Sequence, residues 1–231
     1  MGTMRVKKVY RREDGKKVME INVLPGKYCT FQCVFCPIPE KGTQTEGAYS
    51  FPETEAFLGD LAEQMDRERP DVLFLNSLGE SFCNDRLGDL IDLGHRKGAQ
   101  VSLYSNGYLL GDPSHAALAS RCDEVSGEIK GVTEESFRKL QRPLEGRTLE
   151  EYVDRMVRFR KGYGGAFAVY VTLMKGVNDD PQSLGRLRDM LKRLAPTRVV
   201  LETFTDERFG KVWGIPEERV EDLRRALLGE G

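Results

Sequence analysis

Three cysteines lie close together near the start of the chain. Cys29, Cys33 and Cys36 form the pattern C-x3-C-x2-C, so three of the five cysteines fall within eight residues. A looping backbone can direct thiolates at this spacing toward one centre, and the sequence therefore predicts a metal site. Zinc is one candidate, although structural zinc sites usually have two separated ligand pairs and all four positions filled. A cubane [4Fe–4S] cluster is the other, and three thiolates would leave one of its irons open.

An open position on a metal is typical of a site that binds a substrate. The other candidate ligands are scattered along the chain, and the role of the two remaining cysteines does not follow from the sequence. These residues are Cys83, Cys122, His95 and His115. We expect both histidines to lie on helices, away from the cysteines, as solvated or packed side chains.

Composition and charge exclude several classes of function. The 231 residues are 39% hydrophobic and 31% charged, which is typical of a soluble globular protein. The net charge of −2 gives no global basic field for nucleic acid. No stretch approaches the roughly 18 apolar residues of a membrane span, and no signal peptide is visible. We therefore expect a cytoplasmic protein that makes no membrane contact, with its thiols kept reduced.

The elements that must position the cysteines follow a repeated pattern of strand, loop and amphipathic helix. Alternation of this kind predicts parallel strands joined by right-handed crossovers. Six such units are too few for a complete eight-unit barrel, so the predicted fold is α/β, a partial (β/α)6 TIM-like barrel. We expect one domain, with a short N-terminal β-hairpin over 1–17 and the barrel over 18–231. The predicted parallel strands are Val18–Leu24, Asp71–Asn76, Gln100–Tyr104, Glu124–Ile129, Phe167–Leu173 and Arg198–Thr203.

Chemistry is expected in the loops after these strands, because ligands gather at the carboxyl ends of parallel strands. The second strand ends in N-S-L-G-E-S, where Gly79 permits close backbone approach and Glu80 can bind an ammonium group. Ser105 and Asn106 follow the third strand and offer hydrogen-bonding groups.

On the fourth strand, two side chains of opposite charge share one face. Glu128 and Lys130 are two residues apart, so they point the same way together with Ser126. If that face is the barrel interior, we expect the two charges to pair, because buried lysine and glutamate are nearly always paired.

The cysteine spacing directly after a first strand resembles the signature of the radical S-adenosylmethionine (SAM) enzymes, and Phe35 matches the aromatic residue that this family prefers before its last cysteine. The segment around Gly79-Glu80 is similar to the family's Gly-Gly-Glu segment, although Leu78 replaces the first glycine and Ser81 the usual following proline. The resemblance is to the activase-like and wyosine-type branch.

The resemblance implies both cofactors and their contacts. Cys29, Cys33 and Cys36 would hold a [4Fe–4S] cluster, and S-adenosyl-L-methionine would bind its open iron. The residues around SAM would be Phe35, Gly79, Glu80, Ser105, Asn106, Glu128 and Lys130. The implied activity is reductive cleavage of SAM to a 5′-deoxyadenosyl radical, which abstracts hydrogen from a substrate. An electron donor such as flavodoxin or ferredoxin would be a partner, and no catalytic residue is assigned beyond these contacts.

The substrate stays open at this stage. One hypothesis is a protein substrate, a glycyl-radical-enzyme partner, which the acid-x-Lys pattern of the fourth strand favours. Alternatives are a nucleic acid such as tRNA, which the net charge disfavours, and a small metabolite. A non-enzymatic Fe–S or zinc module is an alternative from another class. The loop after the sixth strand carries five candidate substrate contacts, Glu202, Thr203, Asp206, Arg208 and Trp213.

Overall fold

Nine strands occur in the part of the chain that the structure, a computed structural model, describes, which is residues 3–38 and 42–229. They are β1 (Arg5–Arg11), β2 (Lys17–Asn22), β3 (Tyr28–Cys29), β4 (Thr43–Gln44), β5 (Val72–Leu75), β6 (Gln100–Tyr104), β7 (Glu124–Ile129), β8 (Ala166–Leu173) and β9 (Arg198–Thr203). Seven of them form one sheet in the order β1-β2-β5-β6-β7-β8-β9, and β3 pairs with β4. β1 is antiparallel to β2, and every other neighbouring pair in the large sheet is parallel.

The sheet curls into a half-barrel, which confirms the predicted partial barrel. Its hairpin turns through Gly15 at a φ of 80°, a left-handed conformation that glycine adopts without a steric cost. The strand that returns from this turn is β2, the first parallel strand. Residues 1, 2, 230 and 231 of the expected domain lie outside the described residues, as does 39–41 within it.

Helices cover the outer face of the sheet. They are α1 (Glu53–Glu68), α2 (Leu87–Arg96), α3 (Pro113–Ala119), α4 (Glu134–Ser136), α5 (Leu149–Gly162), α6 (Pro181–Leu194), α7 (Gly210–Trp213) and α8 (Glu217–Leu228). Local sequence sets several starts. The Asp180 carboxylate accepts hydrogen bonds from the N–H groups of Gln182 and Ser183, with Pro181 at the first helical position. Among the described residues, none of the helices combines the length and apolarity that a membrane span requires.

Side chains of one strand alternate between two environments. On β7, Val125 and Ile129 have no exposed surface and belong to the apolar core beneath the helices. Ser126 and Glu128 point to the opposite, concave face, because successive residues of a strand face opposite ways. The fold thus places polar groups in the interior of the half-barrel.

The sequence predicts a helix over Glu134–Gln141, after β7, and the structure differs from this prediction. The segment is one short turn, α4, followed by a π-helix at Phe137–Gln141. The backbone carbonyls of Leu140 and Gln141 accept hydrogen bonds from the N–H groups of Val34 (2.9 Å) and Gln32 (3.1 Å), which belong to the cysteine loop. π-Helices are rare and are found mostly at functional sites. This one binds the cysteine loop through two backbone hydrogen bonds.

Candidate cofactor site

The cysteine loop is fixed along both sides by backbone hydrogen bonds. Cys29 ends β3, and its carbonyl accepts a bond from the N–H of Thr45 at 2.9 Å, just beyond β4. On the other side lies the π-helix described above. Cys33 and Cys36 follow in the same loop, where the N–H of Cys36 bonds the carbonyl of Cys33 at 3.2 Å.

Phe31 anchors this loop in the core. Its ring is 3% exposed and meets the rings of Tyr108, Phe137 and Tyr152 edge-on, at centroid distances of 5.4 to 5.9 Å. Edge-to-face aromatic pairs of this kind add stability beyond the burial of their area. The loop therefore sits on a packed aromatic base.

Two of the three thiols lie in surroundings that favour the neutral form. Burial raises the pKa of Cys29 to about 12, and burial also raises the pKa of Cys33, although the nearby Lys130 charge opposes it. Across residues 3–38 and 42–229, no three Cys, His, Asp or Glu side chains are close enough to bind a single metal ion. A cubane cluster makes a different demand, because each thiolate binds a different iron atom.

Gly79 brings the second loop against the first. The N–H of Glu80 donates to the carbonyl of Tyr28 at 2.7 Å, directly before Cys29. A Cβ on Gly79 would lie 2.0 Å from that same carbonyl oxygen, so only glycine fits. The structure thus joins the Gly79-Glu80 segment to the cysteine loop.

The Glu80 carboxylate is wholly buried at this junction. Its Oε2 accepts hydrogen bonds from the Ser105 hydroxyl at 3.0 Å and the Asn106 N–H at 2.9 Å, whereas Oε1 has no protein partner. Burial raises the pKa of Glu80 to about 7, against the opposing effect of these hydrogen bonds and of the nearby Phe82 N–H. An orphaned carboxylate oxygen is costly in a folded protein unless a ligand satisfies it.

Asn106 connects Glu80 to the first cysteine. Its Nδ2 donates to the Thr30 hydroxyl at 2.9 Å and lies 3.5 Å from the Sγ of Cys29. One residue therefore bonds to Glu80 through its backbone and to the cysteine loop through its side chain.

Glu128 and Lys130 pair directly on the concave face, as the sequence pattern led us to expect. Burial alone would lower the pKa of Lys130, but the Glu128 carboxylate, together with the nearby Cys33 and Glu202, outweighs it, and the pKa is raised. The Lys130 ammonium also lies 5.5 Å from the centroid of the Phe35 ring, within the range of a cation–π contact.

Phe35 links this pair to the loop after β9. Its ring is 3% exposed and packs against Phe204 at 5.5 Å and Trp213 at 6.1 Å. Of the five candidates in the loop after β9, Trp213 therefore lies beside the cysteine loop, and Glu202 is on the concave face of β9. For the other three, Thr203, Asp206 and Arg208, no contact with Cys29, Cys33 or Cys36 occurs among the described residues; Thr203 bonds to Ile215, Asp206 to the N–H of Arg208, and Arg208 lies over Phe209.

Tyr152 is a residue of this site that the sequence does not reveal. It is fully buried on α5, and its hydroxyl donates to the backbone carbonyls of Asn106 (2.5 Å) and Glu128. It thus ties the end of β6 to β7. Its apolar helical position predicts only a core side chain, so no sequence signal marks this role.

Of the remaining candidates for a fourth ligand, Cys83 adjoins the Glu80 segment, since its N–H donates to the Glu80 carbonyl at 2.9 Å, and the other three lie elsewhere. Cys83 and Cys122 are buried free thiols, and burial raises the pKa of Cys122 to about 12. His95 pairs with Asp123 at the surface, at 3.1 Å, and the ring of His115 packs against Phe82, at 5.0 Å. None of these contacts involves the cysteine loop.

Known proteins resemble this chain in sequence and in fold. A family model described as the radical SAM superfamily matches residues 23–187. A UPF0026 protein of Methanocaldococcus jannaschii is 22% identical over 190 residues, which are 81% of this chain and 59% of that protein. The chain thus spans less than two thirds of the length of that relative.

Three solved structures share the fold at low sequence identity. A TYW1 with a lysine-pyruvate adduct bound has a TM-score of 0.65 at 17% identity, covering 93% of this chain and 74% of that one. A radical SAM methyltransferase from Sphaerobacter thermophilus has a TM-score of 0.67 at 15% identity, covering 100% and 76%. An anSMEcpe with bound AdoMet has a TM-score of 0.64 at 15% identity, covering 88% and 57%.

The family match covers well over half of the chain, beginning directly after β2 and running through the site into α6. It includes the cysteine loop and the Glu80 junction. This chain belongs to the radical SAM superfamily.

Proposed function

We propose that this chain holds a [4Fe–4S] cluster through Cys29, Cys33 and Cys36 and cleaves S-adenosylmethionine reductively. The observation that carries the proposal is the orphaned Oε1 of Glu80. It belongs to a buried carboxylate that is joined through Asn106 to Cys29. A cationic group of a ligand beside the cysteine loop would satisfy it, and SAM carries an ammonium group.

The residues present fit both cofactors. Three thiols in one anchored loop match a cluster with one iron left open. When bound, the reduced cluster supplies the electron that breaks the C5′–S bond of SAM, which gives methionine and a 5′-deoxyadenosyl radical that abstracts hydrogen from the substrate. The protein contributes position and exclusion of water.

Side chains of this chain would orient SAM. Glu80 would bind the ammonium group of SAM, and Ser105 and Asn106 would hold the Glu80 carboxylate in place through their hydrogen bonds to it. The Ser126 hydroxyl, which is 1% exposed and has no protein partner, would contribute a further hydrogen bond from the concave face. Glu128 and Lys130 would add a negative and a positive charge on the same face as Ser126.

A small aromatic cluster packs against the cysteine loop at Cys33 and Val34. Phe35 and Phe209 are buried together with Met174, and Phe204 and Trp213 pack around them. An apolar cover of this kind strengthens the electrostatic interactions beneath it and protects a reactive radical from side reactions.

Three hypotheses concern the substrate. A glycyl-radical-enzyme partner, a nucleic acid and a small metabolite all fit the same cofactor chemistry. The electron donor, a flavodoxin or ferredoxin, is likewise a prediction. The structural neighbours named above share the fold alone and do not distinguish among these.

Anaerobic reconstitution with iron and sulfide, followed by reduction and an assay for 5′-deoxyadenosine, tests the proposal. We expect the wild type to form 5′-deoxyadenosine, Cys33→Ala to form none, and Cys122→Ala, a buried thiol remote from the loop, to match the wild type. Metal analysis accompanies the assay. A wild type that contains zinc, or one that forms no more 5′-deoxyadenosine than Cys33→Ala, would favour the non-enzymatic module instead.

A further inference from the structure

The side-chain amide of Asn106 has one orientation that satisfies its hydrogen bonds. Its Oδ1 accepts a hydrogen bond from the backbone N–H of Tyr108 at 3.0 Å. A backbone N–H can only donate, so the end of the amide that faces it must be the oxygen. Flipping the amide would set two donors against each other. The Nδ2 group is therefore the end of the amide that faces the cysteine loop.

Both N–H bonds of this Nδ2 group have an acceptor on that loop. The Thr30 hydroxyl lies 2.9 Å from Nδ2, and the Sγ of Cys29 lies 3.5 Å from it. Sulfur is a larger and weaker acceptor than oxygen, so the longer distance is still that of a hydrogen bond. Thr30 is 2% exposed, so water does not compete for its contact. The amide thus uses both of its donors within the cysteine loop.

The main chain of Asn106 is held as firmly as its side chain. Its N–H donates to the Oε2 of Glu80 at 2.9 Å, and its carbonyl accepts from the Tyr152 hydroxyl at 2.5 Å. The N–H of the next residue, Gly107, donates to the Ser105 hydroxyl at 2.9 Å, so a closed turn surrounds Asn106. The amide is therefore directed at the cysteine loop by a backbone that is itself fixed.

Hydrogen bonds to the sulfurs are one of the means by which a protein sets the reduction potential of an iron–sulfur cluster. A reduced cluster carries one more negative charge than an oxidised one. The hydrogen of an N–H group bears a partial positive charge, so a donor beside a cysteine sulfur stabilises the reduced form more than the oxidised form. Such a hydrogen bond raises the potential and makes the cluster easier to reduce.

We infer that the Asn106 side chain donates an N–H···S hydrogen bond to Cys29 and thereby raises the reduction potential of the cluster. This inference rests on the proposed function, in which Cys29 holds that cluster, and it names a residue that regulates electron uptake there. Asn106 is a positioning residue in this role, because it acts on the cluster through the sulfur of Cys29. Its main chain contacts Glu80 and its side chain contacts Cys29, so a side-chain substitution separates the two roles.

Two substitutions of Asn106 and one of Thr30 test the inference. Asn106→Ala removes the amide, and Asn106→Asp keeps an oxygen for the Tyr108 N–H but has no N–H to donate. Thr30→Val is the matched control, because it removes the other acceptor of the same Nδ2 group, keeps the shape of the side chain and leaves the Cys29 contact in place. The full chain is reconstituted anaerobically with iron and sulfide. Its reduction potential is then measured in the absence of SAM, by a redox titration followed by electron paramagnetic resonance.

We expect Asn106→Ala to lower the equilibrium constant for reduction about tenfold, which corresponds to about 59 mV for a one-electron couple. Asn106→Asp should lower it further, because a carboxylate beside the sulfur opposes an added negative charge. Thr30→Val should have the potential of the wild type. Iron content should be equal in all four proteins. The SAM dissociation constant of Asn106→Ala should also match the wild type, because the contact with Glu80 is made by the backbone.

A wild-type potential in both Asn106 variants would overturn the inference, and so would an equal fall in Thr30→Val and Asn106→Ala, which would assign the effect to packing of the loop. The 5′-deoxyadenosine assay separates these results from failure of the proposed function. If the wild type forms 5′-deoxyadenosine and the Asn106 variants keep its potential, the role of Asn106 alone is wrong. If the potential falls as expected and the wild type forms no 5′-deoxyadenosine, the proposal of SAM cleavage is wrong and the role of Asn106 stands.

Discussion

The two faces of the half-barrel differ in how far the protein satisfies its own side chains. On the outer face, Val125 and Ile129 are fully buried in the core under the helices. At the concave face, the Ser126 hydroxyl and the Oε1 of Glu80 have no hydrogen-bond partner among the described residues. The side chains of the outer face are packed by the protein itself, whereas the concave face has polar groups that a bound ligand could satisfy. Substitutions on the outer face should therefore cost stability, and those on the concave face should mainly change binding.

Ile129→Ala should show the largest effect on the outer face. Truncating a fully buried isoleucine removes apolar burial and leaves a cavity, so the free energy of unfolding should fall by about 2–5 kcal/mol. Urea denaturation measures the change. A loss below 1 kcal/mol would show that the helices close over the gap, and the outer face would then be less tightly packed than it appears from burial.

Glu80 should give the concave face a pH dependence of stability. The pKa of Glu80 is about 7 in the folded chain, whereas the unfolded chain has the ordinary value of 4.5. Between these two pH values the folded chain therefore holds a proton that the unfolded chain has lost. The free energy of unfolding of the cofactor-free chain should therefore fall as pH rises from 4.5 to 7, by about 3 kcal/mol at 1.36 kcal/mol per unit.

Glu80→Gln serves as the control for that measurement, because an amide cannot titrate. The difference between wild type and variant, from urea denaturation at pH 5 and pH 8, isolates the contribution of this carboxyl. If the free energies of unfolding of the two proteins changed with pH in the same way, the pKa of Glu80 would be the same in the folded and unfolded chain, and the prediction would be wrong.

Ser126→Ala should show the smallest effect on stability. Its buried hydroxyl has no protein partner, so removing it should leave the free energy of unfolding unchanged or raise it by about 1 kcal/mol. Ser126 and Ile129 lie three residues apart on one strand, so the pair compares the two faces directly. If Ser126→Ala were as destabilising as Ile129→Ala, the contrast between the faces would be wrong.

Local sequence predicts the regular elements well. β6, β7 and β9 have the bounds that hydrophobic periodicity and turn residues indicate. These signals are local, because alternation along a strand and a capping aspartate both act within a few residues. The half-barrel follows from the same signals, and the family is expected because the cysteine spacing resembles its signature.

Contacts between distant segments are the part that sequence does not reveal. The π-helix exists where Leu140 and Gln141 offer carbonyls to a loop about a hundred residues earlier, and no periodicity encodes that. The short β3–β4 pairing depends likewise on how the cysteine loop folds back. Tyr152 has the pattern of a core residue, and only the fold shows that its hydroxyl joins the segments of Asn106 and Glu128.

The affinity of the reconstituted chain for SAM, measured for wild type and Glu80→Gln, tests the central claim most directly. The claim is that the free oxygen of Glu80 binds the ammonium group of SAM beside the cysteine loop. Loss of a charge-assisted hydrogen bond should raise the SAM dissociation constant at least tenfold, while iron content and the electron paramagnetic resonance signal of the reduced cluster in the absence of SAM stay unchanged. An unchanged dissociation constant with the cluster intact would contradict the account.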